Sequence, residues 1–88
     1  MSQTILIIDD EENAQKNISK YLSKKGFEVF EAGTLKEGRN FIHKGDGDII
    51  ILDVQLPDGY GMDMLKEISD LPQRPPVILI TGYGNIEM

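Results

Sequence analysis

The sequence predicts an α/β fold built on a parallel sheet, and three observations predict it. Short runs of Ile, Leu and Val recur at Ile5–Ile8, Ile49–Leu52 and Val77–Ile80. Segments with helical spacing of apolar residues lie between such runs. No run is long enough for an ordinary helix, and their composition suits strands covered on both faces. Alternation of strand and helix calls for parallel strands joined by right-handed crossovers.

Taken in order, Ile5–Ile8 is the first strand. Residues 12 to 25 then place Ala14, Ile18, Tyr21 and Leu22 on one side of a helix, with Gly26 where a C-terminal cap belongs. "GFEVFEAG" alternates apolar and charged residues as an edge strand does. Residues 34 to 44 open with Thr34 and Glu37, the spacing of a capping box, and turn Leu35, Phe41 and Ile42 inward. Gly45 and Gly47 end that helix before the strand Ile49–Leu52. Residues 61 to 69 form a shorter helix with Met62, Leu65 and Ile68 as its buried side, and Met62 and Met64 as fillers of core gaps. Pro72, Pro75 and Pro76 close it and lead into Val77–Ile80. The expected order is β-α-β-α-β-α-β, one domain over residues 1–88, with no repeat or linker.

Composition narrows the function. Fifteen acidic residues against nine basic give a net charge of −6. Nucleic-acid surfaces need clustered Lys and Arg to displace counterions, so direct binding of nucleic acid by this segment is not expected. Cysteine is absent, which removes disulfides and thiolate metal sites and is compatible with the cytoplasm. No stretch approaches the roughly 18 apolar residues of a membrane span.

The informative residues are acids at strand ends. "IIDDEE" delivers Asp9 and Asp10 from the tip of the first strand, and "DIIILDVQLPDGYG" delivers Asp53 from the third. In open parallel sheets, ligands sit at the carboxyl ends of strands. If the two strands are neighbours, about 4.8 Å apart, three carboxylates share one small space. Two charges about 5 Å apart repel by roughly 3 kcal/mol at an effective dielectric near 20. A cation, or a retained proton, relieves that repulsion. With only oxygen ligands at hand, a hard divalent cation fits, Mg2+ before Ca2+ because Ca2+ wants more oxygens. For Glu11 and Glu12 the plain alternative is that acids favour the positive end of a helix. His43, beside Lys44, reads as solvated surface.

Three motifs now resemble one family. "ILIIDDEE", "DIIILDVQLPDGYG" and "PPVILITGYG", in that order, resemble the acidic pair, the phosphoacceptor strand and loop, and the fourth strand of response-regulator receiver domains of two-component signalling. The resemblance spans the chain. It implies a flavodoxin-like three-layer sandwich with a parallel sheet of order 2-1-3-4, lacking the fifth strand and last helices of a full receiver. It also implies a phosphoacceptor module rather than an enzyme. Asp53 would take a phosphoryl group from a sensor histidine kinase. Asp10 and Asp53 would hold Mg2+ directly, Asp9 mostly through water, and the backbone carbonyl of Gln55 would add a ligand. Thr81 would be the switch hydroxyl that meets the phosphate and relays the signal to an output such as transcription. "ITGYGNIEM" further resembles receivers of sigma-54-dependent activators.

The family's fifth strand ends in a lysine that pairs with the phosphate, and no lysine follows Lys66 here. The domain is therefore expected to be C-terminally incomplete, or the natural chain longer. Order 2-1-3-4 would leave Val77–Ile80 as an open apolar edge, so self-association through that edge or by swapped elements is expected. Two other functions compete with the phosphoacceptor reading. One is a truncated receiver acting only as a dimerisation module. The other is a phosphatase using an aspartyl phosphate, whose first-strand "DxD" is not matched by the adjacent acids "DD".

Overall fold

The computed structural model describes residues 3–80. Its elements run β1 (Thr4–Ile8), α1 (Glu12–Lys24), β2 (Glu28–Ala32), α2 (Leu35–His43), β3 (Ile49–Asp53), β4 (Gln55–Leu56), β5 (Gly59–Tyr60), α3 (Gly61–Ser69) and β6 (Val77–Ile80). Four strands form one parallel sheet in the order β2-β1-β3-β6. With β6 as its fourth strand, this is the 2-1-3-4 order expected. The segment that the sequence presents as a loop instead carries a short antiparallel pair, β4–β5.

Side chains alternate between the sheet's faces, which gives two cores. On one face Leu6, Ile8, Ile50 and Leu52 are fully buried under Leu35 of α2 and Met64 and Ile68 of α3. On the other, Ile5, Ile7 and Ile51 lie beneath α1, with Ile18 and Leu22 packed against them. Helices on both faces make three layers. Each fully buried Leu or Ile contributes about 1.5–3 kcal/mol, so the closely covered α2–α3 face is the firmer one. No residue of α1 is fully buried.

Caps explain where the helices start. Glu11 accepts from the Ala14 amide at 2.8 Å, so the ordinary helix-start role holds for Glu11, while Glu12 pairs with Lys16 at 2.9 Å. Thr34 accepts from the Glu37 amide at 3.1 Å, and Glu37 reaches back to the Gly33 amide at 3.3 Å. That is the expected capping box with its return bond shifted by one residue. Across the α2–α3 seam, Arg39 grips Glu67, with a shortest contact of 2.7 Å.

Two expected core residues face water. Tyr21 is 61% exposed, with the Lys25 ammonium 5.4 Å from its ring. The face that α1 presents to the sheet is rotated toward half-buried Gln15 and Ser19, which carries Tyr21 outward. Met62 is 52% exposed, because Gly61, Met64 and Ile68 form the inner line of α3 and Met62 points away from it. Met64 is therefore the gap-filling methionine. His43 is exposed, as expected.

Leu6→Ala should lower stability by about 2–5 kcal/mol through lost burial and a residual cavity. Met62→Ala should change it by less than about 0.5 kcal/mol. Urea unfolding of the two variants checks the assignment of inner and outer faces.

Candidate functional site

Strand register brings the acids together. Ile5 to Ile8 pair with Ile49 to Leu52, so Asp9 and Asp53 leave adjacent strands at the same level. The Asp9 amide extends the ladder to the Ala32 carbonyl at 3.0 Å, which fixes the backbone at that point. One carboxylate oxygen each from Asp9, Asp10 and Asp53 lies within 4.8 Å of the others. Asp9 and Asp53 are only 4% and 5% exposed, while Asp10 faces solvent.

Local bonds orient these groups. Asp9 Oδ1 accepts from the Glu11 amide at 2.9 Å, and Asp53 Oδ1 accepts from the Gln55 amide at 3.1 Å. Both are turns in which a carboxylate takes the amide two residues on. The second bond sets the Gln55 backbone beside Asp53. Gly61 donates to the Val54 carbonyl at 2.7 Å, and a Cβ on it would collide with the Asp53 carbonyl. The second glycine of "DGYG" is thus required by close approach to the aspartate, not merely by a turn.

Electrostatically the cluster is uncompensated. Among the described residues the ion pairs are Lys16–Glu12 and Arg39–Glu67, and neither touches it. Burial pushes the Asp9 carboxyl up to about 6; the hydrogen bond to Asp53 and the charges of Asp53 and Asp10 push the same way, against the Glu11 amide. Three convergent hard oxygens without a protein counter-charge fit a hard divalent cation.

Thr81 lies outside the described residues. Two participants were not read from the sequence. The Gln15 amide group donates to the Asp9 and Ala32 carbonyls at 3.0 and 2.9 Å, tying the ends of β1 and β2 under the site. Its sequence signal is a polar residue beside Ala14 and three before Ile18, at the edge of the apolar stripe of α1. The second is Asp58, whose carboxylate accepts from the Leu35 and Lys36 amides at 2.8 and 3.1 Å. Its signal was an acid between proline and glycine in a turn.

Geometry of this kind, on this sheet order, defines a receiver-type acid pocket. The family profile described as "Response regulator receiver domain" matches residues 5–88, and the chain belongs to that family, the phosphorylation-based signalling modules of two-component systems. It is 27% identical over 88 residues to sporulation initiation phosphotransferase F of Bacillus subtilis, covering all of this chain and 71% of that protein. It is 35% identical over 83 residues to transcriptional regulatory protein CusR of Escherichia coli, covering 94% of this chain but only 37% of that one. The structure of response regulator protein TrrA from Thermotoga maritima, in complex with Mg2+-BeF, aligns with a TM-score of 0.85 at 29% identity, over 93% of this chain and 71% of that one. The fold is flavodoxin-like, as in chemotaxis-type receivers. No helix among the described residues is long and apolar enough to cross a membrane.

The raised Asp9 carboxyl gives a signed pH dependence. The native state keeps a proton that the unfolded chain, with an ordinary aspartate near 3.9, releases. This contribution is complete below the unfolded value and is lost as pH rises through about 6. Without divalent cations, stability should fall from about pH 5 to about pH 7.5, and Asp9→Asn should flatten that fall. Urea titrations in EDTA at both pH values measure it.

Proposed function

We propose that this chain is the phosphoacceptor part of a two-component phosphorelay, with Asp53 the residue modified. The observation that carries the reading is the convergence of Asp9, Asp10 and Asp53 carboxylates within 4.8 Å at the carboxyl end of paired strands, in a chain of the receiver family. An Asp53 oxygen attacks the phosphorus of a phosphohistidine on a sensor histidine kinase. The phosphorus–nitrogen bond breaks, the imidazole leaves with the electron pair, and an aspartyl phosphate remains.

Asp10 and Asp53 would hold Mg2+ directly, Asp9 mostly through water, and the Gln55 backbone carbonyl would complete the protein's share. When bound, Mg2+ neutralises the acids and offsets charge on the phosphoryl oxygens. The Mg2+-BeF complex of TrrA supports this choice of ion. Asp9, buried and anchored to the Glu11 amide, and Gln55, whose amide holds one Asp53 oxygen, keep the acceptor's reactive oxygen oriented.

The module acts as a signalling acceptor rather than as an enzyme on a separate substrate. Thr81 is proposed as its switch hydroxyl, with an output in transcriptional regulation in the cytoplasm. The "ITGYGNIEM" likeness points that output toward sigma-54-dependent activators. Residues 1–88 span 71% of the length of sporulation initiation phosphotransferase F. Neither nucleic acid nor membrane is proposed as a direct partner. Self-association through the β6 side of the sheet is proposed, supported by Ile78, which is 54% exposed at that margin.

Incubation with Mg2+ and acetyl phosphate should add one phosphoryl group by intact-mass spectrometry, and Asp53→Asn or EDTA should abolish it. Modification that persists in Asp53→Asn refutes the assignment. Sedimentation at micromolar concentration should show a dimer that Ile78→Lys dissociates; a compact monomer of the unsubstituted protein rules the association out.

A further inference from the structure

The β4–β5 hairpin follows the acceptor aspartate directly and carries Gln55 at its start. Its two-residue turn is Pro57-Asp58. Asp58 is exposed, yet its two carboxylate oxygens divide between the first two amides of α2, Leu35 at 2.8 Å and Lys36 at 3.1 Å. These are donors that a helix start leaves without internal partners. Thr34 serves the third, the Glu37 amide. The first turn of α2 is therefore capped from two places, by its own Thr34 and by an acid 23 residues away from Leu35 in the chain.

Apolar contacts reinforce the same junction. Leu56 on β4 and Leu35 on α2 are buried in one cluster, 7% and 2% exposed. A Cβ on Gly59, where φ is +153°, would lie 2.8 Å from Leu35 Cδ1. The hairpin's turn is thus seated on the N-terminus of α2, and its base is fastened to Asp53 through the Gln55 amide and the Gly61–Val54 bond. Between those two anchors the segment has little freedom to shift.

We infer that Asp58 is a positioning residue for the acid pocket: by clamping the hairpin to the start of α2, it holds the Gln55 backbone in register with Asp53. The inference rests on the phosphoacceptor reading for its functional consequence, though the clamp itself does not. Two features make Asp fit the place. A carboxylate offers two acceptors in one plane for two neighbouring amides, and its charge faces the positive end of the helix. The Leu35 and Lys36 amides accordingly hold its carboxyl below the usual aspartate range. Coupling is reciprocal: whatever fixes Gln55 and Asp53 also fixes the α2 start, so cation binding at the pocket is felt by the Leu35 and Lys36 amides.

The test compares Asp58→Ala with Thr34→Ala. Both remove caps from the same helix start, but only the first frees the hairpin. Amide exchange of Gln55 and Gly61, read by NMR without metal, should speed up about tenfold in Asp58→Ala and stay unchanged in Thr34→Ala. The Mg2+ dissociation constant should rise roughly tenfold in Asp58→Ala alone, the scale typical of residues that orient metal ligands. Asp58→Asn, which keeps one acceptor oxygen, should recover part of both effects and serves if the alanine variant does not fold. Equal exchange in the two alanine variants overturns the clamp, whatever Mg2+ does. Faster exchange with unaltered Mg2+ affinity overturns its positioning role. Failure of the unsubstituted protein to bind Mg2+ instead sinks the phosphoacceptor reading and leaves the exchange comparison to decide the clamp.

Discussion

Parallel pairing of β1 with β3 is the constraint on which the rest depends. Its register, Ile5 opposite Ile49 through Ile8 opposite Leu52, is set by burial of both faces of both strands. A slip of one residue in either strand would exchange the set packed beneath α2 and α3 for the set packed beneath α1. The apolar runs thus fix the register, and the register fixes the level at which Asp9 and Asp53 emerge. Chemistry at the sheet's end is a consequence of hydrophobic packing in its middle.

The sheet's two faces serve this end unequally. Under α2 and α3 the core is closed, with eight residues from Leu6 to Ile68 at or below 2% exposed. The loop that follows Asp53 leans on that side: Leu56 joins its core, Gly61 begins α3, and Asp58 reaches the start of α2. Beneath α1 the cover is looser, and Gln15 substitutes hydrogen bonds for packing at the ends of β1 and β2. A loop that must hold an acid in one orientation is thereby attached to the firmer body. This suits a site whose ligands act through distances of tenths of an ångström.

Much of this was legible because it rests on periodicity and on residue type. Continuous Ile and Val runs announced the strands, Thr34 and Glu37 the start of α2, and acids at strand tips the pocket. Composition alone does not decide which face of a short helix turns inward. Met62 and Met64 are both plausible inner residues by composition, and only the packed position of Gly61 decides between them. Tyr21 faces water despite its apolar spacing because the orientation of α1 is set partly by Gln15, a polar residue that an apolar count ignores. The β4–β5 hairpin and the Asp58 clamp were hidden for another reason. The clamp joins segments more than twenty residues apart, and no local pattern encodes a bond between a turn and a distant helix start, while the hairpin's strands, two residues each, are too short to show an alternation.

The burial and acidic crowding that disfavour charge on Asp9 are what fit the pocket to a cation. Asp9 titrates near 6 because burial and its acidic neighbours disfavour its charge, so the native state without a cation carries an unfavourable electrostatic term at neutral pH. A cation that binds only the folded arrangement removes that term, and its binding free energy appears as stability. This works only if the acids cannot relax by moving apart. Strand pairing prevents it for Asp9, and the hairpin, pinned at Gly61 and at Asp58, prevents it for the segment beyond Asp53. Rigidity here does more than support the site: it keeps the repulsion from dissipating, and so preserves the free energy that binding of a cation would release.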